Sequence, residues 1–77
     1  MMGRGNDMGD FIAFITDILE EEQGTLNLET KREDCEKWDS LMHLRIVMEI
    51  ERKYGVEIPF EIIPNIRTLN DLYQYVK

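Results

Sequence analysis

This 77-residue chain is short of four things: cysteine, histidine, basic residues and long apolar runs. Each shortage excludes something. With a single cysteine, Cys35, there can be no internal disulfide. A small domain without one suits a reducing compartment, so a cytoplasmic setting is expected. No apolar run approaches the roughly 18 residues of a membrane-spanning helix, so no membrane insertion is expected. Met1 to Asp10 carries one arginine and no apolar stretch, which is not the pattern of a secretory signal. One histidine beside one cysteine makes neither a metal site nor a catalytic constellation. No loop has the alternating Asp/Asn ligands and central glycine of a calcium-binding hand. A domain of this length has a modest core and no room for a deep cleft lined by several catalytic groups. No catalytic residues, no metal and no enzyme activity are expected.

Acids outnumber bases sixteen to nine, for a net charge of −7. The imbalance is confined to residues 1–39, which hold eleven acids and four bases; residues 40–77 hold five of each. Nucleic-acid binding requires the opposite sign. Partners are instead expected to present basic patches.

What is present is helical periodicity. Residues 1–7 read as a flexible tail and residues 8–77 as a single domain, expected to be monomeric. Phe11, Phe14, Ile15, Ile18 and Glu22, with Ile12 and Leu19 beside them, predict a helix from Met8 to Gln23. Asp7 or Asp10 caps its start, and Gly24 is the natural residue to end it. Glu20, Glu21 and Glu22 then fall on the last turn, the wrong end for the helix dipole. Residues 25–39 are polar and aperiodic, a long loop with Leu26, Leu28 and Trp38 as its only large apolar anchors. Cys35 within it reads as a bystander or a small packing residue.

A second helix is predicted from Ser40 to Tyr54, stopped by Gly55. His43, Ile46, Val47, Ile50 and Tyr54 share its core stripe, while Leu41, Leu44 and Met48 lie on the other side. That second patch is either covered by the last helix or a contact surface. Val56 to Pro59 reads as an extended connector. Pro59 opens about one turn through Phe60–Ile63, which Pro64 interrupts. Thr68 caps a last helix, with Asp71 three residues on as an approximate capping box and Leu69, Leu72, Tyr73 and Val76 inside. The fold class is therefore all-α: a small four-helix bundle of three main helices and one short one, with the long loop between the first two.

Asp39-Ser40 stands where that loop meets the second helix. Either side chain can accept a hydrogen bond from a first-turn N–H, which is reason enough for the pair. His43 lies one turn on and faces the core, so nothing activates the Ser40 hydroxyl as a nucleophile of its own. A helix start also stabilises an attached phosphate through its free N–H groups and the positive end of its dipole. Ser40 is thus a candidate for modification by an enzyme that brings its own catalytic groups.

Asp39-Ser40-Leu41, then Ile46-Val47-Met48-Glu49-Ile50-Glu51, then Tyr54-Gly55-Val56-Glu57-Ile58-Pro59, resemble the acyl carrier protein family. Ile66-Arg67-Thr68-Leu69-Asn70-Asp71-Leu72 is similar to the start of that family's last helix. The resemblance implies a four-helix bundle of acyl-carrier type whose serine, here Ser40, receives 4′-phosphopantetheine from coenzyme A through a separate Mg²⁺-dependent phosphopantetheinyl transferase. The arm's thiol would hold acyl groups as thioesters and deliver them to acyl-loading and acyl-processing enzymes of fatty-acid, polyketide or related biosynthesis. By the same resemblance, Asp39, Leu41, Leu44, Arg45 and Met48 would form the partner interface. Lys37 stands where the family usually has glycine, and Trp38 where it has a smaller residue. Arg45, Arg52 and Lys53 make the second helix less acidic than in fatty-acid carriers. Trp38-Asp39-Ser40-Leu41 followed by His43 looks more like discrete bacterial carriers of specialised pathways, such as those for polyketides, peptides or surface polysaccharides. The alternative is a module of the same fold that binds partners without ever being modified.

Overall fold

The computed structural model describes residues 7–77; the predicted tail, Asp7 apart, lies outside them. Helix α1 runs Met8–Leu19. Asp7 caps it, its Oδ1 accepting the N–H of Asp10 at 2.9 Å. Phe11, Ile15, Ile18 and Leu19 are buried, with Ile12 and Phe14 half-buried beside them, as the periodicity predicts. Thr16, which the apolar stripe passes over, is buried too: its hydroxyl donates to the carbonyl of Ile12 at 2.6 Å.

The end of α1 differs from expectation. The helix stops at Leu19, short of the predicted Gln23, because Glu20 turns left-handed at φ 56°, ψ 43°. The N–H of Glu20 donates to the carbonyl of Asp17 at 3.2 Å, and that of Glu21 to Thr16 at 3.0 Å. This pair of bonds closes the last turn in the Schellman manner, normally with glycine at the turning residue. Glu20, Glu21 and Glu22 therefore lie just beyond the helix and not on its last turn. A side chain costs about 1–2 kcal/mol in this conformation, offset in part by the extra freedom glycine gives the unfolded chain. Glu20→Gly is accordingly expected to raise stability by about 0.5–1 kcal/mol. A denaturant midpoint that fell would contradict this reading of the turn.

The long loop is tied down at several points. A single 3-10 turn, Arg32–Asp34, sits in its middle. The Arg32 N–H donates to the Arg67 carbonyl at 2.7 Å, the Leu69 N–H to Thr30 at 3.3 Å, and the Asn70 N–H to Leu28 at 2.9 Å. Lys31 and Thr68 form an isolated antiparallel bridge. Leu26 and Trp38 are buried and Leu28 is half-buried, so the three predicted anchors hold it from inside as well. Lys37, standing where a glycine was expected, donates from Nζ to the carbonyl of Glu20 at 2.8 Å. There it supplies the positive charge that the C-terminus of α1 lacks.

Helix α2 spans Ser40–Tyr54, as predicted, and ends where Gly55 turns left-handed at φ 67°. His43, Ile46, Val47 and Ile50 are buried and Tyr54 half-buried. Glu51 Oε2 accepts the Ile58 N–H at 2.9 Å, which folds the connector back on α2. A 3-10 helix then runs Phe60–Asn65 with Pro64 inside it. Pro64 was expected to interrupt it. In a 3-10 helix proline removes only its own bond to the residue three back. The flanking bonds, Ile62 to Pro59 at 3.0 Å and Ile66 to Ile63 at 3.2 Å, remain. Helix α3, Leu69–Tyr73, starts from the full Thr68–Asp71 capping box and continues as turns to Val76. Phe11, Ile15, Ile46, Ile50, Ile66, Leu69 and Leu72 meet in one core. The architecture is an all-α bundle of acyl-carrier type, without strands among the described residues.

Candidate functional site

Ser40 is the only serine in the chain. It is the first residue of α2 and is exposed. The cap belongs to Asp39 alone, whose Oδ1 accepts the Met42 N–H at 2.9 Å. Sequence reasoning allowed either residue that role. Because Asp39 takes it, the Ser40 hydroxyl has no hydrogen-bond partner among the described residues. The first-turn N–H groups of Ser40 and Leu41 likewise have no intrahelical acceptor. They and the dipole favour a phosphodiester on Ser40. Basic residues stand at the far end of the helix, Arg52 and Lys53, where they suit its opposite pole. Among the described residues no group stands by Ser40 to activate it as a catalyst, and the arrangement fits a hydroxyl offered outward.

Behind Ser40 the sequence is pinned by a chain of buried hydrogen bonds. Trp38, only 2% exposed, donates from Nε1 to Nδ1 of His43 at 2.9 Å. Nε2 of His43, itself 3% exposed, lies 2.8 Å from the Ile63 carbonyl. Indole N–H only donates and a carbonyl only accepts, so the ring is neutral with its proton on Nε2. The relay joins three segments: the end of the loop, the first turn of α2 and the 3-10 helix. Sequence reasoning placed His43 on the core stripe but missed this pairing. A Trp five residues before a core His is the signal that was available.

Burial lowers the pKa of His43 below its usual 6.5; the Ile63 carbonyl opposes that shift and the charge of Arg32 adds to it. The unfolded chain therefore takes up this proton before the folded chain does. The stabilisation is complete above pH 6.5 and is lost as the pH falls from there through the folded value. Melting temperature is expected to drop across that window, and His43→Gln should flatten the drop. An unchanged slope in the variant would contradict the assignment.

Ahead of Ser40 lies a second feature. Leu41 and Met48 are 80% and 61% exposed, and Leu44 is exposed beside them. The last helix does not cover them. They line an open groove of about 520 Å³ whose rim includes Asp39, Arg45, Glu49 and Arg52. All five residues named for partner contact thus border one groove. Glu49 lies between Arg45, at 4.0 Å, and Arg52, at 3.9 Å. These exposed pairs are worth little in stability. They bring both signs of charge to the rim. Cys35 is half-buried, with its thiol 3.8 Å from Glu21 Oε2, away from this groove.

The bundle and its outward serine define the class of small helical carrier domains. The family described as "Phosphopantetheine attachment site" matches residues 11–76. The chain is 31% identical over 71 residues to the acyl carrier protein of Renibacterium salmoninarum, covering 87% of this chain and 88% of that one. It is 29% identical over 66 residues to the acyl carrier protein of Rickettsia canadensis, covering 86% and 77%. The meromycolate extension acyl carrier protein of Mycobacterium tuberculosis is 36% identical over 72 residues, covering 88% of this chain and 63% of that protein. The chain belongs to the acyl carrier protein family. It is a carrier and not an enzyme, its cofactor is covalent 4′-phosphopantetheine, and its partners are a phosphopantetheinyl transferase and acyl-handling enzymes. No helix among the described residues is long and apolar enough to cross a membrane.

Proposed function

We propose that Ser40 bears the phosphopantetheine arm and that partners dock on the groove formed by Asp39, Leu41, Leu44, Arg45 and Met48. The observation that carries this reading is the exposed, unbonded hydroxyl of the chain's only serine at the start of α2. In the attachment step the Ser40 Oγ attacks the pantetheine-linked phosphorus of coenzyme A. A P–O bond of the pyrophosphate breaks and adenosine bisphosphate leaves. The hydroxyl proton passes to a base of the transferase, which also supplies the Mg²⁺. Once bound, the arm's thiol holds acyl groups as thioesters. Incubation of the wild type with coenzyme A, Mg²⁺ and a broad-specificity transferase should add one arm by intact mass, and no gain would contradict the reading.

The carrier acts in the cytoplasm as a monomer, a setting that suits the free thiol of Cys35. Its acyl intermediates belong to lipid, polyketide or related synthesis, and the lipid branch has support from the name of the mycobacterial relative. Arg45, Arg52 and Lys53 on α2 favour a discrete carrier of a specialised bacterial pathway, with enzymes that answer mixed charge and not a purely acidic helix. Met48→Glu is expected to weaken partner binding about tenfold or more while leaving melting temperature nearly unchanged, because Met48 is exposed. A large fall in melting temperature would show Met48 to be core.

A further inference from the structure

Arg32 and Arg67 are far apart in the chain and are brought together by backbone pairing. The isolated bridge sets Lys31 opposite Thr68 in antiparallel register. One step along, Arg32 faces Arg67, and its N–H bonds the Arg67 carbonyl at 2.7 Å. Residues opposite one another in this register project to the same side, and like charges so placed repel. Glu33 offsets one of the two: its Oε1 lies 3.7 Å from an Nη of Arg67, in an exposed pair that is worth little. Arg32 has no such partner. It is half-buried, and its guanidinium makes no hydrogen bond or ion pair among the described residues. A cation that has lost part of its water and gained no counter-charge is incomplete.

These three residues line an open cavity of about 320 Å³ whose other walls are Pro64 and Ile66. That volume is at the small end of ligand pockets. Two guanidinium groups against one carboxylate leave it an excess of positive charge, in a chain of net charge −7. The planar guanidinium matches a carboxylate, and a wall of proline and isoleucine suits a short hydrocarbon stem. The cavity also lies close to the start of α2. Pro64 follows Ile63, whose carbonyl is bonded to His43, one turn along the helix from Ser40. The charge of Arg32 is felt at that same His43. An anion free in solution would gain little from so open a site. One carried on a tether meets it at an effective concentration on the order of millimolar.

We propose that this pocket takes the carboxylate at the free end of a dicarboxylic acyl group carried on the arm, with Arg32 as its ion-pair partner and Arg67 beside it. The inference rests on the assignment of the arm to Ser40 and names a class of cargo for it. On this account the carrier distinguishes an acyl group that ends in a carboxylate from one of the same length that ends in a methyl, and does so before any partner enzyme binds.

The test uses the full chain, ¹⁵N-labelled and loaded by the transferase from coenzyme A carrying malonyl, glutaryl or adipoyl groups. Each is set against the group with a methyl in place of the carboxylate: propionyl, pentanoyl or hexanoyl. Intact mass is read first: failure to load defeats the Ser40 reading and the inference with it. In the loaded wild type, glutaryl and adipoyl should move the Arg32 Nε–H and the Arg32 and Arg67 amides severalfold more than their neutral counterparts do. Equal shifts within each pair, or none, would overturn the inference while leaving Ser40 as the site. So would shifts already complete on attachment of the unacylated arm, which would give the pocket to the arm's own phosphate. Arg32→Gln should erase the effect of the carboxylate on the Arg67 amide. Glu33→Gln, at an exposed position, removes the competing carboxylate and should enlarge that effect. An effect that survives Arg32→Gln or shrinks in Glu33→Gln would overturn the inference; should Arg32→Gln fail to fold, the paired cargoes and Glu33→Gln decide.

Discussion

Ser40→Ala is expected to abolish arm attachment completely and to change stability by less than about 0.5 kcal/mol. The two halves of this result have separate causes. Attachment is lost because no second serine exists in the chain and no other residue stands free at the start of α2. Stability is kept because the Ser40 hydroxyl makes no bond among the described residues and is exposed. The cap it sits beside belongs to Asp39, and alanine is a good helix former at the vacated position. Asp39→Ala should do the reverse in stability, costing about 0.5–2 kcal/mol as a lost cap. A marked loss of stability in Ser40→Ala would mean that the serine is a structural cap after all.

Trp38→Ala is expected to have the largest effect on stability, about 3–5 kcal/mol. The side chain is almost wholly buried and is one of the anchors of the long loop. Its removal also strips His43 Nδ1 of its donor. A domain of this size has only about 5–10 kcal/mol in all, so the variant should melt at or near ambient temperature by circular dichroism. Trp38→Phe keeps most of the volume and loses the indole N–H, which is expected to cost about 1–3 kcal/mol. Should Trp38→Phe prove neutral, Trp38 would act by volume alone and the relay would carry no weight.

Those two residues also show what a sequence can and cannot reveal here. The limits of α2 were legible because Asp39 and Gly55 are strong local signals and the core stripe between them is regular. The capping box of α3 was legible for the same reason. The end of α1 was not. Glycine is the ordinary turning residue, and nothing local says that Glu20 will turn before Gly24 is reached. The order in residues 25–39 was hidden too, because it depends on the backbone of Arg67, Leu69 and Asn70, some forty residues away in the chain. At the site, Ser40 could be named from its neighbours, but not that Asp39 alone would cap. The role of His43 depends on a carbonyl twenty residues downstream at Ile63, and that pairing exists only once the bundle has closed.

The most direct test of the carrier assignment is the position of the added mass. After modification by the transferase, trypsin cuts following Lys37 and Arg45 and releases Trp38–Arg45, in which Ser40 is the only hydroxyl-bearing residue. One phosphopantetheine on that peptide is the result the account predicts. An unmodified Trp38–Arg45 peptide would contradict it: an arm found elsewhere would move the site away from Ser40, and no gain in mass would leave an interaction module that uses the same fold without the arm.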